Sequence, residues 1–228
     1  GYLVSLMRTS ITWINDYLDP PADIIEQAAA LTRAGFPDEG EIDVENGEQS
    51  QDIEMTSNRG DCLCHVGLAR EIAVVSGRTL KEPTFSVATS SSPVSDVITL
   101  HNAEPAACPL YTARVIKGVR VQESPDWLKR RLEAIGLIPR NTLVDATNFV
   151  LFELGQPTHV FDLAKLAGTT VTIRYAAEGE QLLPIGDGAQ PLKLHRDDLV
   201  IADANGPLAL AGVKGGEPTA VTDSTRDI

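Results

Sequence analysis

The sequence predicts an α+β chain: a small helical N-terminal domain over residues 1–85, a linker over residues 86–96, and a larger mixed α/β domain over residues 97–228 with mainly antiparallel strands. Three observations carry this. Apolar residues recur at roughly 3.6-residue spacing in the first third of the chain, the stretch EPTFSVATSSSPVSD breaks every period, and from Thr170 short alternating segments follow one another between Gly, Asp and Asn turns.

The opening residues read as a short strand or turn leading into ITWINDYLD. A helix is expected over residues 22–33, where Ile24, Ile25, Ala28, Leu31 and Thr32 share a face and Gly35 stops it. Residues 38–54 are acidic and poor in apolar side chains, so they read as an exposed connection. A second helix follows over residues 61–75, with Asp61 as N-cap and Gly77 as its stop. Beyond the linker, VITLH and LYTARVIKGV alternate like strands. SPDWLKRRLEAIG is a helix with Ser124 as N-cap, Pro125 in the first turn and Gly136 at the end, and VDATNFVLFELG is a shorter apolar one. TVTIRYA, EQLLPI, QPLKL, DLVIAD and PLALAG complete the strands.

Composition narrows the class. With 43% hydrophobic and 22% charged residues the chain can bury a core, which excludes disordered and fibrous readings. No apolar run approaches the roughly 20 residues of a bilayer span, and the first residues lack a signal peptide's pattern, so a cytoplasmic location without a membrane partner is expected. Met7 looks like a natural start, which makes residues 1–6 an extension. Cys62, Cys64 and Cys108 are an odd set without a second ligand pair, hence reduced packing residues rather than a disulfide framework or a zinc site. The net charge of −13 argues against a general grip on nucleic-acid phosphates.

Four stretches, in order, resemble the β subunit of bacterial phenylalanyl-tRNA synthetase: ITWINDYLD, MTSNRGDCLCHVGLAREIAVVSG, WLKRRLEAIGLIPRNTLVDATNFVLFELGQPTHVFDLAKLAG and DDLVIADANGPLALAGVKGG. The third is long and specific. The resemblance implies that residues 97–228 are an editing domain, truncated at its C-terminus, which hydrolyses tyrosine mischarged onto tRNA(Phe). It also implies a whole enzyme that ligates phenylalanine using ATP and Mg2+, with an α subunit as partner in an α2β2 assembly. No cofactor is expected in this piece. The family's inserted tRNA-binding OB-fold module is expected to be missing, because the 38–54 gap is too short for a five-stranded barrel.

The chemistry can be posed without the family. Tyrosine is phenylalanine plus a hydroxyl, and an apolar pocket separates the two poorly, whereas a polar partner left unpaired by phenylalanine excludes it. Glu217, in LALAGVKGGEPTAV, can accept a phenol's hydrogen bond, and the resemblance places the tyrosine-recognising glutamate there. Ala211, Gly212, Gly215 and Gly216 are the expected substrate-binding neighbours, the glycines allowing close approach, positive φ and backbone donors for an oxyanion. Lys214 departs from the family's usual apolar residue and is expected to point away from Glu217. His159 leaves a helix end closed by Gly155 and Pro157, and the resemblance makes it an editing-pocket histidine that positions water or moves a proton. Thr147 and Asn148 are expected to line the same site by resemblance. Asp145 and Glu153 read as ordinary helix-face carboxylates, Arg140 as a contact for a tRNA phosphate, and no metal is expected. The alternative is a non-catalytic tRNA-binding or subunit-assembly module that has lost editing.

Overall fold

The computed structural model describes residues 5–45 and 47–228. It has two compact units, interleaved in sequence: Gly1–Ser86 with Glu123–Thr158, and Val87–Gln122 with His159–Ile228. The expected single cut at residues 86–96 therefore gives way to three crossings of the chain between units, because the two helices after residue 123 are core elements of the first unit.

In that unit β1 (Ser5–Ser10) runs into α1 (Ile11–Asn15), β2 (Leu18–Asp19) and α2 (Ile24–Arg33). Asp23 and Glu26 close a reciprocal capping box at the start of α2, and Gly35 (φ +92°) lies just past its end. The stretch expected to be an exposed connection is instead a hairpin of β3 (Asp38–Glu45) and β4 (Glu48–Met55), forming a sheet in the order β1-β4-β3. Its acids hide an alternation that buries Ile53 and Met55, and the Asn46-Gly47 pair is a turn signal in the sequence. The hairpin fills the place where the resemblance puts an OB-fold module.

α3 (His65–Ser76) follows a 3₁₀ turn at Gly60–Cys62, and Gly77 (φ +71°) ends it. Its N-cap is Cys64, whose Sγ accepts the Gly67 N–H at 3.3 Å, because the expected cap, Asp61, is held by the Arg59 guanidinium at 2.9 Å. β5 (Thr79–Leu80) pairs with β2. Residues 81–93 carry no helix or strand and are almost wholly exposed.

α4 (Asp126–Ala134) and α5 (Thr142–Leu154) return to this unit. Pro125, not Ser124, is the N-cap of α4; the Ser124 hydroxyl turns inward and donates to the fully buried Asp145 carboxylate at 2.6 Å. Asn141 caps α5 by accepting the Leu143 and Val144 N–H groups, and Gly155 (φ +73°) ends it. Asp145 and Glu153 are thus not solvated helix-face carboxylates. Glu153 is buried and accepts the Tyr17 hydroxyl, tying α5 to the segment after α1.

The core of the unit is an aromatic column. Trp13, fully buried, stacks on His65 at 4.0 Å and on Phe149 at 4.7 Å between ring centroids, Trp127 meets Phe149 edge-on at 5.4 Å, and the Arg131 guanidinium lies 5.6 Å from the Trp13 ring. His65 Nε2 accepts the Ser10 N–H at 3.1 Å, so Nδ1 carries the ring proton and donates it to the Phe152 carbonyl at 2.7 Å. One neutral tautomer satisfies both partners. Burial is the main cause that pushes the His65 pKa down to about 4; the Arg131 charge acts in the same direction and the Phe152 carbonyl against it.

The second unit holds β6 (Thr99–Asn102), β7 (Thr170–Tyr175), β8 (Gln181–Leu182), β9 (Leu192–Lys193), β10 (Leu199–Asp203), β11 (Gly206–Leu210) and β12 (Lys214–Gly215). A five-stranded sheet runs β12-β11-β10-β7-β6, antiparallel except for β6–β7, and β8–β9 is a separate ribbon. Alternation along β10 sends Val200 and Ala202 to one apolar cluster with Leu182 and Leu194, and Ile201 to another with Val171 and Ala209. The strand expected in LYTARVIKGV does not form beyond a bridge from Lys117 to Asp227: its Leu110 and Ile116 stay exposed, so pairing would bury little. No helix among the described residues is long and apolar enough to cross a membrane.

Because the fold favours neutral His65, its contribution is complete above the unfolded imidazole value of about 6.5 and is lost as pH falls toward 4. Urea unfolding at pH 7 and pH 5 is expected to differ by about 2 kcal/mol from this group. The His65→Gln variant, although less stable, should show a correspondingly smaller difference between the two conditions; an equal difference in both proteins would remove His65 as the cause.

Candidate functional site

The predicted residues fall in both units: Arg140, Thr147 and Asn148 in the first, and His159, Ala211, Gly212, Gly215, Gly216 and Glu217 in the second.

In the second unit the segment after β11 is built for close approach. Gly212 (φ +72°) turns the chain into β12, with the Val213 N–H donating to the Leu210 carbonyl. Gly215 and Gly216 do not need positive φ; they need the absence of a side chain. A Cβ on Gly215 would lie 2.1 Å from His159 Cε1, and one on Gly216 would lie 2.4 Å from the Leu208 carbonyl oxygen. The His159 imidazole is therefore seated directly on the Gly215 backbone. Phe161 holds it from another side, edge-on with centroids 4.5 Å apart. The rest of the ring faces solvent, while burial of the packed side lowers its pKa.

Backbone bonds fix the seat. The Gly216 N–H donates to Leu208 O at 2.7 Å, the Glu217 N–H to Leu183 O at 2.8 Å, and Gly215 O accepts the Ile185 N–H at 3.0 Å. This corrects one expectation: the Gly216 N–H is committed and cannot serve an oxyanion. Ala211 donates its N–H to Leu199 O and packs against the Val171–Ile201–Ala209 cluster. Glu217 begins a 3₁₀ turn (Glu217–Thr219), with its side chain exposed. Exposed Lys214 forms no ion pair with it among the described residues.

In the first unit, Thr147 and Asn148 are half-buried on α5. The Thr147 hydroxyl donates to Val144 O at 2.7 Å, which leaves its oxygen lone pairs free to accept. Arg140 is exposed, and its backbone N–H donates to Asp145 at 2.8 Å. Asp61, Cys62 and Glu71 bring ligand atoms within 4.8 Å of one another, but the Arg59 guanidinium already reaches all three, at 2.9, 3.1 and 2.6 Å. A cationic side chain thus already occupies that cluster. A groove of about 850 Å³ between α2, β3 and the end of α3 holds none of the predicted residues.

Sequence reasoning missed Phe161, Asp162, Thr219 and Thr225. Asp162 and Thr225 are buried and hydrogen-bonded to each other, and Thr219, also buried, accepts the Asp162 N–H through its carbonyl. The only local signal was a carboxylate set directly after the apolar pair Val160-Phe161.

The family model of the B3/4 domain matches residues 107–228, more than half of the chain and all nine predicted site residues. The chain belongs to the B3/4 domain family. The B3/4 segment draws on both units, since it includes α4 and α5 as well as four strands of the five-stranded sheet, all but β6. Among curated proteins, the chain is 43% identical over 222 residues to the phenylalanine–tRNA ligase β subunit of Rhodopirellula baltica, covering 97% of this chain and 32% of that protein. It is 44% identical over 177 residues to the β subunit of Fusobacterium nucleatum, covering 78% and 22%. The chain thus spans about a third or less of the curated relatives it matches. A solved N-terminal fragment of the phenylalanyl-tRNA synthetase β subunit from Pyrococcus horikoshii superposes with a TM-score of 0.49 at 16% identity, over 98% of this chain and 66% of that one.

The Gly215 seat is testable without substrate. In Gly215→Ala the new methyl displaces the His159 ring from its packed side, so the His159 pKa, below the ordinary value of about 6.5 in the parent, should rise toward it. NMR titration of the imidazole protons reads this directly, and an unchanged titration would show that the ring does not rest on this glycine.

Proposed function

We propose that this chain works as part of a phenylalanine–tRNA ligase β subunit and that its B3/4 domain hydrolyses tyrosine mischarged onto tRNA(Phe). The observation that carries the reading is the His159 ring seated on Gly215, two residues before the Glu217 carboxylate. A proton-handling ring and a phenol-accepting group are thereby held on one short stretch of backbone. The identity to phenylalanine–tRNA ligase β subunits across most of the chain supports the same assignment.

Water attacks the carbonyl carbon of the ester joining tyrosine to the terminal ribose of tRNA. The bond from that carbon to the ribose oxygen breaks, and a proton from the water ends on the ribose oxygen. His159, kept neutral at pH 7 by its lowered pKa, can take the proton from the water and return it to the leaving oxygen. Glu217 selects the substrate. Its carboxylate is hydrated in the free chain, and a bound aromatic ring covers it; tyrosine then replaces the lost water with its hydroxyl, and phenylalanine does not. Within the first unit, Thr147, with its proton directed at Val144 O, keeps lone pairs available to accept from a ligand, and Asn148 offers both donor and acceptor. Exposed Arg140 suits a tRNA phosphate.

In this proposal the whole enzyme is cytoplasmic, and its α subunit partner and the remainder of the β subunit supply the tRNA grip that a chain of net charge −13 lacks. In ligation by the whole enzyme ATP would be the co-substrate and Mg2+ its cofactor, and none of the residues above is assigned to them.

In the intact synthetase, Glu217→Ala should slow deacylation of tyrosyl-tRNA(Phe) by at least roughly tenfold, the scale of a lost hydrogen bond to a charged group, while phenylalanine activation is spared. Both rates are measured on one preparation. Deacylation at the parent rate would take Glu217 out of the mechanism.

A further inference from the structure

His159 lies on irregular backbone and Glu217 opens a single 3₁₀ turn, so no shared helix or strand ladder fixes one against the other beyond the contact at Gly215. A second tie does. Asp162, three residues after His159 and 5% exposed, donates its backbone N–H to the Thr219 carbonyl at 3.0 Å, two residues after Glu217. Its carboxylate accepts the Thr225 hydroxyl at 2.7 Å through one oxygen and the Ala164 N–H at 3.1 Å through the other. Thr225 is 1% exposed, and its Oγ1 in turn accepts the Thr222 N–H at 2.8 Å. The buried carboxylate is held by neutral donors alone, with no ion pair among the described residues.

The geometry points to Asp162 as a positioning residue of the editing reaction: acting through Thr225 and the Thr219 carbonyl, it locks the segment that carries His159 to the turn that carries Glu217. This rests on the editing function proposed above. Asp162 touches neither substrate nor reacting atoms. Its effect comes through placement, because a reacting group displaced by about 1 Å loses on the order of a hundredfold in rate. The KM for a whole aminoacyl-tRNA is governed mostly by contacts to the tRNA body, so a loosened clamp shows in kcat.

The experiment uses the full-length β subunit assembled with its partner, and two pairs of variants. Thr225→Val keeps the shape and removes the hydroxyl, and Thr225→Ser restores it. Asp162→Ala removes the side-chain half of the clamp while leaving the backbone bond to Thr219, and Asp162→Asn keeps both, since the amide can accept the Ala164 N–H and donate to Thr225 Oγ1. Expected is a fall of at least about tenfold in kcat for tyrosyl-tRNA(Phe) deacylation with Thr225→Val and with Asp162→Ala. KM should stay within about threefold and phenylalanylation by the same preparations should be unchanged, while Thr225→Ser and Asp162→Asn should return to within about threefold of the parent. Should Thr225→Val lose phenylalanylation, and with it evidence of folding, the Asp162 pair reads the same contrast. Parent-like kcat in the disrupting variants, a change confined to KM, or no recovery in the conservative ones overturns the assignment. A parent enzyme that leaves tyrosyl-tRNA(Phe) intact overturns the editing reading itself, a result distinct from any of these.

Discussion

The first unit depends on one aromatic stack, in which Trp13 lies between the imidazole of His65 and the ring of Phe149. The three rings come from α1, α3 and α5, so the column joins the start of the chain to a helix more than a hundred residues later. His65 is confined to a single neutral tautomer by a donor on one side and an acceptor on the other. Stacking on tryptophan is the environment left to such a ring, because a charged imidazole at full burial would lack a counter-ion. The bond from Tyr17 to Glu153 extends the same attachment along α5. Once α5 is fixed in this way, so is the backbone that bears Thr147 and Asn148.

The second unit solves a different problem, that of fixing an imidazole in orientation without enclosing it. A cage of side chains around His159 would leave no face of the ring open. Here one side of the ring rests on bare backbone at Gly215 and Phe161 braces it edge-on, so the orientation is set while part of the ring stays accessible. The backbone beneath is itself pinned through Gly215 O, Gly216 N–H and Glu217 N–H to two neighbouring chain segments, residues 183–185 and β11. Rigidity below and openness above are the combination expected of a site that must admit a ligand and still place its reacting groups.

What was legible in the sequence was local. α2 announces itself through its apolar spacing and the stop at Gly35, α5 through an apolar run closed by Gly155, and the strands from β7 to β11 through alternation between turn residues. The hairpin of β3 and β4 was missed because Glu and Asp on its outer face masked the period-two pattern of Ile53 and Met55. Ser124 satisfied every local rule for an N-cap and yet bonds Asp145, 21 residues away, a preference that only the tertiary fold creates. The interleaving of the units has the same origin, since nothing near Phe149 in sequence reveals that Trp13 is its partner. At the candidate site, family resemblance supplied His159 and Glu217, whereas the pairing of Asp162 with Thr225 spans 63 residues and leaves no periodic trace.

The hydrogen bond from Tyr17 to Glu153 spans 136 positions of the chain. A ribosome adding 5–20 residues per second needs roughly 7 to 27 seconds to travel that distance. Throughout that interval the nascent N-terminal half waits with one face of Trp13 bare, and the sheet segment starting at β6 emerges before the helices that complete the earlier core. Folding on the ribosome must therefore hold an unfinished hydrophobic surface in solution while later sequence is made, a window in which chaperone binding and aggregation compete with closure.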